Sequence, residues 1–180
     1  MAKVITGKVR FSYAHVFEPS AAQEGQEKKY SVSILIDKED KSTLKKIEAA
    51  VEAAKQEGKT KFGGKVPGNL KLPLRDGDLE REDDPNYEGM MFVNATSKNK
   101  PGIVDENLEP LMDKEEFYSG CYGRASVNFY PFNVSGNKGI ACGLNNLQKT
   151  FEGDRLSGGP SAEDDFGSAD DDFGSADDLL

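Results

Sequence analysis

A single histidine, His15, narrows the chemistry open to this chain. One imidazole supplies neither a His-rich metal site nor a second His base, and a lone histidine in a strand is more often a packing or surface residue than a catalyst. Asp76-Gly77-Asp78 and Asp83-Asp84 offer carboxylates for a metal-dependent nuclease. They lie in a polar stretch with no matching ligand spacing, so solvated turns account for them far better. No Walker loop, GxSxG or GxGxxG occurs. Cys121 and Cys142 form no CxxC and have no nearby histidine motif, which reads as two free thiols in a reducing compartment. The expectation is a non-enzyme with no cofactor and no metal.

Cations interleaved with aromatics point elsewhere. Arg10-Phe11-Ser12-Tyr13 places a cation among rings, Lys28-Lys29-Tyr30 repeats the pattern, and Tyr122-Gly123-Arg124 leads into Phe129-Tyr130-Pro131-Phe132. Lys98, Lys100 and Lys138 fall in turns. Cations that track phosphates and ring faces on which bases stack are what sequence-tolerant single-strand binding requires. The competing account is ordinary: strands favour aromatics whatever their function, and exposed lysines usually just solvate a face. Alternation separates the two. Tyr122, Arg124, Ser126, Asn128 and Tyr130 share a polar, aromatic face expected to point outward, whereas Ala125, Val127 and Phe129 share an apolar one. Phe129, Ile5 and Val9 are then expected in the core.

These groups must be carried by strands. Residues 3–13 alternate, with Ile5, Val9, Phe11 and Tyr13 on one side. A polar loop follows over residues 18–27. Residues 28–37 form a second strand, with Tyr30, Val32, Ile34 and Ile36 on one side. The period then changes. Leu44, Ile47, Val51 and Ala54 draw a helical stripe over residues 41–57, with Asp40 as N-cap and Gly58 as the stop. Residues 58–89 read as a long loop or excursion. A third strand spans residues 90–97, with a short return strand at Ile103-Val104. Asp113-Lys-Glu-Glu gives one helical turn through a capping-box pattern. The longest strand, residues 120–132, and a last one from Ile140 to about Leu147 make the clearest hairpin. The sum is a mostly β, OB-fold-like five-stranded barrel with the long helix inserted between its second and third strands; an α+β sandwich is the alternative.

Charge divides the chain into a body, residues 1–156, and a tail, residues 157–180. The 180 residues carry 23 basic and 32 acidic side chains, net charge −9. Eight of those acids and no base lie in the tail, which leaves the body near neutrality with 24 acids against 23 bases. An anionic partner is therefore compatible with the body. Asp164-Asp-Phe-Gly-Ser-Ala-Asp170 repeats unchanged as Asp171-Asp-Phe-Gly-Ser-Ala-Asp177, and the chain ends Asp178-Leu179-Leu180. So acidic and apolar-poor a segment is expected to be disordered. Phe166, Phe173, Leu179 and Leu180, set beside Asp177 and Asp178, are anchors for docking on a partner's basic groove. The tethered carboxylates would also compete with DNA in cis. No signal peptide opens the chain and no apolar run reaches membrane-spanning length, so the expected setting is cytoplasmic.

Four stretches carry a resemblance: Arg10-Phe-Ser-Tyr-Ala-His-Val-Phe-Glu-Pro19, Lys29-Tyr-Ser-Val-Ser-Ile-Leu-Ile-Asp-Lys38, Gly120-Cys-Tyr-Gly-Arg-Ala-Ser-Val-Asn-Phe-Tyr-Pro-Phe132 and Gly136-Asn-Lys-Gly-Ile-Ala-Cys-Gly-Leu-Asn-Asn-Leu-Gln-Lys149. With the acidic tail, the chain resembles bacteriophage single-stranded-DNA-binding proteins of the OB-fold type. The resemblance implies a role in phage DNA replication, recombination or repair inside the infected host cell. It also implies a tail that contacts replication proteins such as the DNA polymerase. Family tails often close on an aromatic; here Leu179 and Leu180 stand last, with the phenylalanines further in. The DNA-binding set would be Arg10, Tyr13, Lys29, Tyr30, Lys98, Lys100, Tyr122, Arg124, Tyr130, Phe132 and Lys138. A homo-oligomer is compatible with this reading. The rival reading is a phage structural or protein-interaction module that does not bind DNA.

Overall fold

The computed structural model describes residues 2–21 and 24–156. The tail expectations concern residues that lie outside the described ones.

The strands are β1 (Ala2–Ile5), β2 (Val9–Ser20), β3 (Lys29–Asp37), β4 (Arg75–Asp76), β5 (Met90–Ser97), β6 (Gly102–Val104), β7 (Tyr122–Val134) and β8 (Asn137–Phe151). Helix α1 (Lys41–Glu57) and the four-residue α2 (Gly77–Glu80) lie between β3 and β5, with a single 3-10 turn at Pro85–Tyr87. Pairing runs β2–β3–β5–β8–β7 and returns from β7 to β2, a closed ring of five strands. Within it β5 and β8 run parallel, and every other neighbour is antiparallel. This is the five-stranded barrel of the OB-fold, which the sequence pattern anticipates. The inserted helix also sits where its period placed it.

The first strand departs from expectation. It breaks at Thr6–Lys8 into β1, paired with β7, and β2, paired mainly with β3. The break resets the alternation. Val4 and Thr6 face inward before it, Val9 and Phe11 after it. Ile5, expected in the core, is therefore 43% exposed. Beyond Phe11 the register shifts again, and Tyr13, counted with the apolar side, is turned outward.

Inside the ring, Val9, Phe11, Val32, Ile34, Ile36, Val93, Ala95, Ala125, Val127, Phe129, Ile140 and Leu147 form the core. Helix α1 adds Leu44, Ile47, Val51 and Ala54, the stripe its period requires. Asp40 caps it by accepting from the Thr43 amide at 3.1 Å, a contact worth about 1 kcal/mol. Ser135 and Gly136, at φ 52° and 86°, join β7 to β8 as a two-residue turn whose paired left-handed backbone matches the strand twist. At Asp113 the expected turn is present as hydrogen bonds from the Glu116 and Phe117 amides to the Asp113 carbonyl. Cys121 and Cys142 are buried free thiols.

The excursion over 58–89 is more structured than a loop. Leu35 and Phe92 are apolar residues on the outward rows of β3 and β5, and they need cover. Tyr87 supplies it, fully buried and edge-on to Phe92 at 5.1 Å, with its hydroxyl donating to Ser33 Oγ at 3.0 Å. The segment from β4 to Tyr87 thus forms a flap over one half of the outer face of β3 and β5. Gly77 lets it close: a Cβ there would strike the Tyr87 carbonyl and lie 2.7 Å from that of Met90. Lys38 pins the flap from the end of β3, with Asp76 at 2.8 Å and Asp78 at 2.6 Å. These two carboxylates, candidate metal ligands from the sequence, are engaged by that lysine, whose hydrogen bonds hold both below the usual carboxylate range.

Candidate nucleic-acid interface

The uncovered half of the β2–β3–β5 outer face is polar. Continuous register between β3 and β5 places Ser31 opposite Thr96 and Ser33 opposite Asn94, all on the outward row. His15 pairs with Ser31 from β2. Lys29 begins the β3 row, and Lys98 lies just past the end of β5. Against this polar ground stands Tyr13, 46% exposed and held at φ 48°. An aromatic in the left-handed region is strained, and a strain of about 1–3 kcal/mol persists only where the surroundings impose it, often at functional sites.

Tyr13, Ser31, Val32, Ser33 and Asn94 line a cleft of about 270 Å³, and Arg81 closes it from the flap. The Arg81 guanidinium lies 5.9 Å from the Tyr13 ring, 5.7 Å from Tyr87 and 5.6 Å from Phe92. It was not singled out from the sequence. In Arg81-Glu82-Asp83-Asp84 it looks like a charge matched by its neighbours. Among the described residues it makes no ion pair with them, and the one legible signal is indirect: Leu35 and Phe92 demand a cover to carry it.

The other expected residues lie elsewhere on the barrel. Arg10 lies at the junction of β2 with β7, where its Nε donates to the Gly120 carbonyl at 3.1 Å and an Nη to that of Asp154 at 3.0 Å. Its guanidinium and the Lys8 ammonium each sit 5.1 Å from the Tyr122 ring, and Lys8 is 4.1 Å from Phe151. Arg124 and Tyr130 continue outward along β7, and the alternation expected there holds: Ala125, Val127 and Phe129 are buried, Arg124 is exposed and Tyr130 half-buried. Arg124 Nε donates to Gln148 at 2.9 Å. In a five-strand ring β7 and β8 stand across from β3, so this face looks away from the Tyr13 cleft.

Tyr30 is half-buried on the core-facing row of β3. Lys100 lies 5.4 Å from the Phe17 ring in a separate open cleft, and Lys98 makes a long ion pair of 3.9 Å with Glu27. Phe132 and Lys138 sit at the far end of the β7–β8 hairpin, beside Lys71, whose amide donates to the Lys138 carbonyl at 3.1 Å. The fold therefore brings Tyr13, Lys29 and Lys98 onto one face, and Arg10, Tyr122, Arg124 and Tyr130 onto another. No group of three or more metal-ligating side chains occurs among the described residues.

A barrel with a polar outer face bearing cations and an exposed ring matches known proteins. The family model of the Enterobacter phage Enc34 ssDNA-binding protein matches residues 2–178. Protein p50 of Acyrthosiphon pisum secondary endosymbiont phage 1 is 30% identical over 167 residues, covering 87% of this chain and 88% of that protein. Among solved structures, the single-stranded DNA-binding protein from bacteriophage Enc34 in complex with ssDNA superposes with a TM-score of 0.78 at 25% identity, covering 87% of this chain and 90% of that one. The bacteriophage T7 single-stranded DNA binding protein gp2.5 shares the fold, with a TM-score of 0.59 at 14% identity over 99% of this chain and 94% of its own. With barrel, face and a match spanning the body, the chain belongs to the family of the Enc34 ssDNA-binding protein.

Proposed function

We propose that this protein binds single-stranded DNA without catalysis, with little sequence preference, in phage DNA replication, recombination or repair within the host cytoplasm. The observation that carries this reading is the Tyr13 cleft on the outer face of an OB barrel, the face this fold uses for oligonucleotides. Bases stack on Tyr13 while Lys29 and Lys98 meet phosphates at the margins of the same face. Arg10, Tyr122, Arg124 and Tyr130, with Lys100, Tyr30, Phe132 and Lys138 further out, extend the contact if the strand wraps the barrel. Residues 1–156 act as the binding unit. The acidic segment 157–180 contacts replication proteins such as the polymerase through Phe166, Phe173, Asp177, Asp178, Leu179 and Leu180, and competes with DNA for the cationic face.

Fluorescence anisotropy with oligo-dT over a salt series tests the reading. Affinity falls with salt, with a log-log slope of about −0.7 for each phosphate neutralised. Binding that is absent at low salt, or indifferent to salt, rejects it. Removing residues 157–180 tightens binding if the tail competes; equal or weaker affinity of the truncated chain removes that part alone. Photocrosslinking of iodouracil-substituted oligonucleotides separates the two faces, because labelled peptides carry either Tyr13 or Tyr122 and Tyr130.

A further inference from the structure

The flap contributes a cation in a setting that protein contacts alone do not explain. Arg81 makes no ion pair or side-chain hydrogen bond among the described residues, although acids surround it in sequence. A guanidinium offers five donors in a planar fork suited to a phosphate, and its flat face suits a base. Here the group rests near three rings, and its donors remain unclaimed by any described side chain. Arg81 is also the residue common to two clefts. One holds Tyr13, Ser31, Ser33 and Asn94; the other is lined by Asp78, Glu82, Asp84 and Glu88. It forms the wall between a polar, aromatic trough and an acidic one. A polyanion is repelled from the second and directed into the first.

Arg81 has this position because the flap is fixed. It is the C-cap of α2, and its amide donates to the Gly77 carbonyl at 2.9 Å. The N-cap of the same helix is Asp76, which pairs with Lys38 at 2.8 Å, and Asp78 pairs with Lys38 at 2.6 Å while accepting from the Gly89 amide at 3.0 Å. A helix of four residues has little stability of its own, so its orientation depends on such external ties. Lys38 stays protonated between two carboxylates, and the three groups together are net negative, so the cluster does not attract a phosphate.

We infer that Arg81 is a DNA-contacting residue of the Tyr13 cleft, and that Lys38, through Asp76 and Asp78, is the positioning residue that holds it there. The inference rests on the single-stranded-DNA reading and names a contact within it. A strand crossing β3 places a base on Tyr13 and the adjoining phosphate or base face on Arg81.

The test is a double-mutant cycle on the full chain, read by oligo-dT anisotropy over a salt series, with circular dichroism melts on each variant. Arg81→Ala weakens binding and lowers the magnitude of the salt slope by about 0.7, the share of one phosphate on a single strand. Arg81→Lys keeps the slope. Lys38→Met weakens binding in the presence of Arg81, and the double variant binds within about twofold of Arg81→Ala alone, because independent sites would instead multiply. Should Lys38→Met melt at the assay temperature, Asp78→Asn leaves Asp76 on Lys38 and runs the same cycle in a milder form. Unchanged affinity and slope in Arg81→Ala overturn the DNA contact. Multiplying effects, or a second slope decrement in the double variant, overturn the positioning role. Failure of the unmodified chain to bind oligo-dT overturns the single-strand reading and this inference with it, an outcome distinct from the other two.

Discussion

Tyr13 allows strain and contact to be separated in one position. Its φ of 48° lies in the left-handed region, where an L side chain pays roughly 1–2 kcal/mol and glycine pays almost nothing. Tyr13→Ala and Tyr13→Gly both remove the ring, but only the glycine relieves the backbone. Glycine's extra chain entropy costs roughly 0.5–1 kcal/mol, so the glycine variant is expected to be more stable than the alanine variant by about 0.5–1 kcal/mol. In a chain of this size that corresponds to about 1–4 °C in Tm. DNA affinity follows a different rule. The ring is 46% exposed and lines the cleft, and one stacked base is worth roughly 1–3 kcal/mol, or about 5- to 150-fold in Kd. Both variants lose that factor alike, whereas Tyr13→Phe, which keeps a ring face, binds near the unmodified level. Thermal melts and oligo-dT anisotropy on the same four proteins read both quantities. Wild-type affinity in either truncated variant refutes the stacking role. Equal melting of the alanine and glycine variants refutes the strained backbone.

Two more outcomes concern the flap. Tyr87→Phe removes the donor to Ser33 from a buried pair and is expected to cost about 1 kcal/mol, measurable as a shift in denaturant midpoint at unchanged m-value. Asp76 and Asp78 both titrate below the usual carboxylate range, because Lys38 hydrogen-bonds their ionised forms. A depressed folded pKa means the contribution is fully present above the unfolded value near 3.8 and is lost only as pH falls through the lower folded values. Carboxyl NMR titration is expected to show both midpoints below 3.8, moving up toward it in Lys38→Met; midpoints unmoved by that substitution exclude the lysine as their cause.

Much of the barrel is legible in the sequence because its signals are periodic and local. The stripe of Leu44, Ile47, Val51 and Ala54 specifies a helix whatever surrounds it, and Asp40 and Gly58 mark its ends. The alternation from Tyr122 to Tyr130 assigns inward and outward residues of β7 one by one. The failures share a cause: each depends on a departure from period. Residues 3–13 alternate on paper, but the break at Thr6–Lys8 exchanges the faces, so Val4 rather than Ile5 is buried. The bulge after Ser12 turns Tyr13 outward by a register shift that no alternation rule contains. Arg81 is harder still. Its role in the cleft depends on Tyr87 finding Leu35 across a gap of many residues, which is tertiary information. A site assembled on one strand can be read from that strand; a site completed by a flap cannot.

The barrel closes through β5 and β8 at only two paired positions, Ala95 with Cys142 and Thr96 with Gly143. The opposite closure, from β7 to the first strand, is longer, because β1 and β2 both contribute to it. Local opening begins where the fewest ties must break, so the barrel is expected to part along that parallel seam before the protein unfolds as a whole. Cys142 stands on the seam at 3% exposure, and burial pushes its thiol far above the ordinary range. In the closed barrel it is inert to alkylation, and it becomes a reactive thiolate only when the seam opens. The molecule thus carries its own stopwatch. The rate at which Cys142 is alkylated times the breathing of the barrel, and a strand of DNA lying across β5 would slow it.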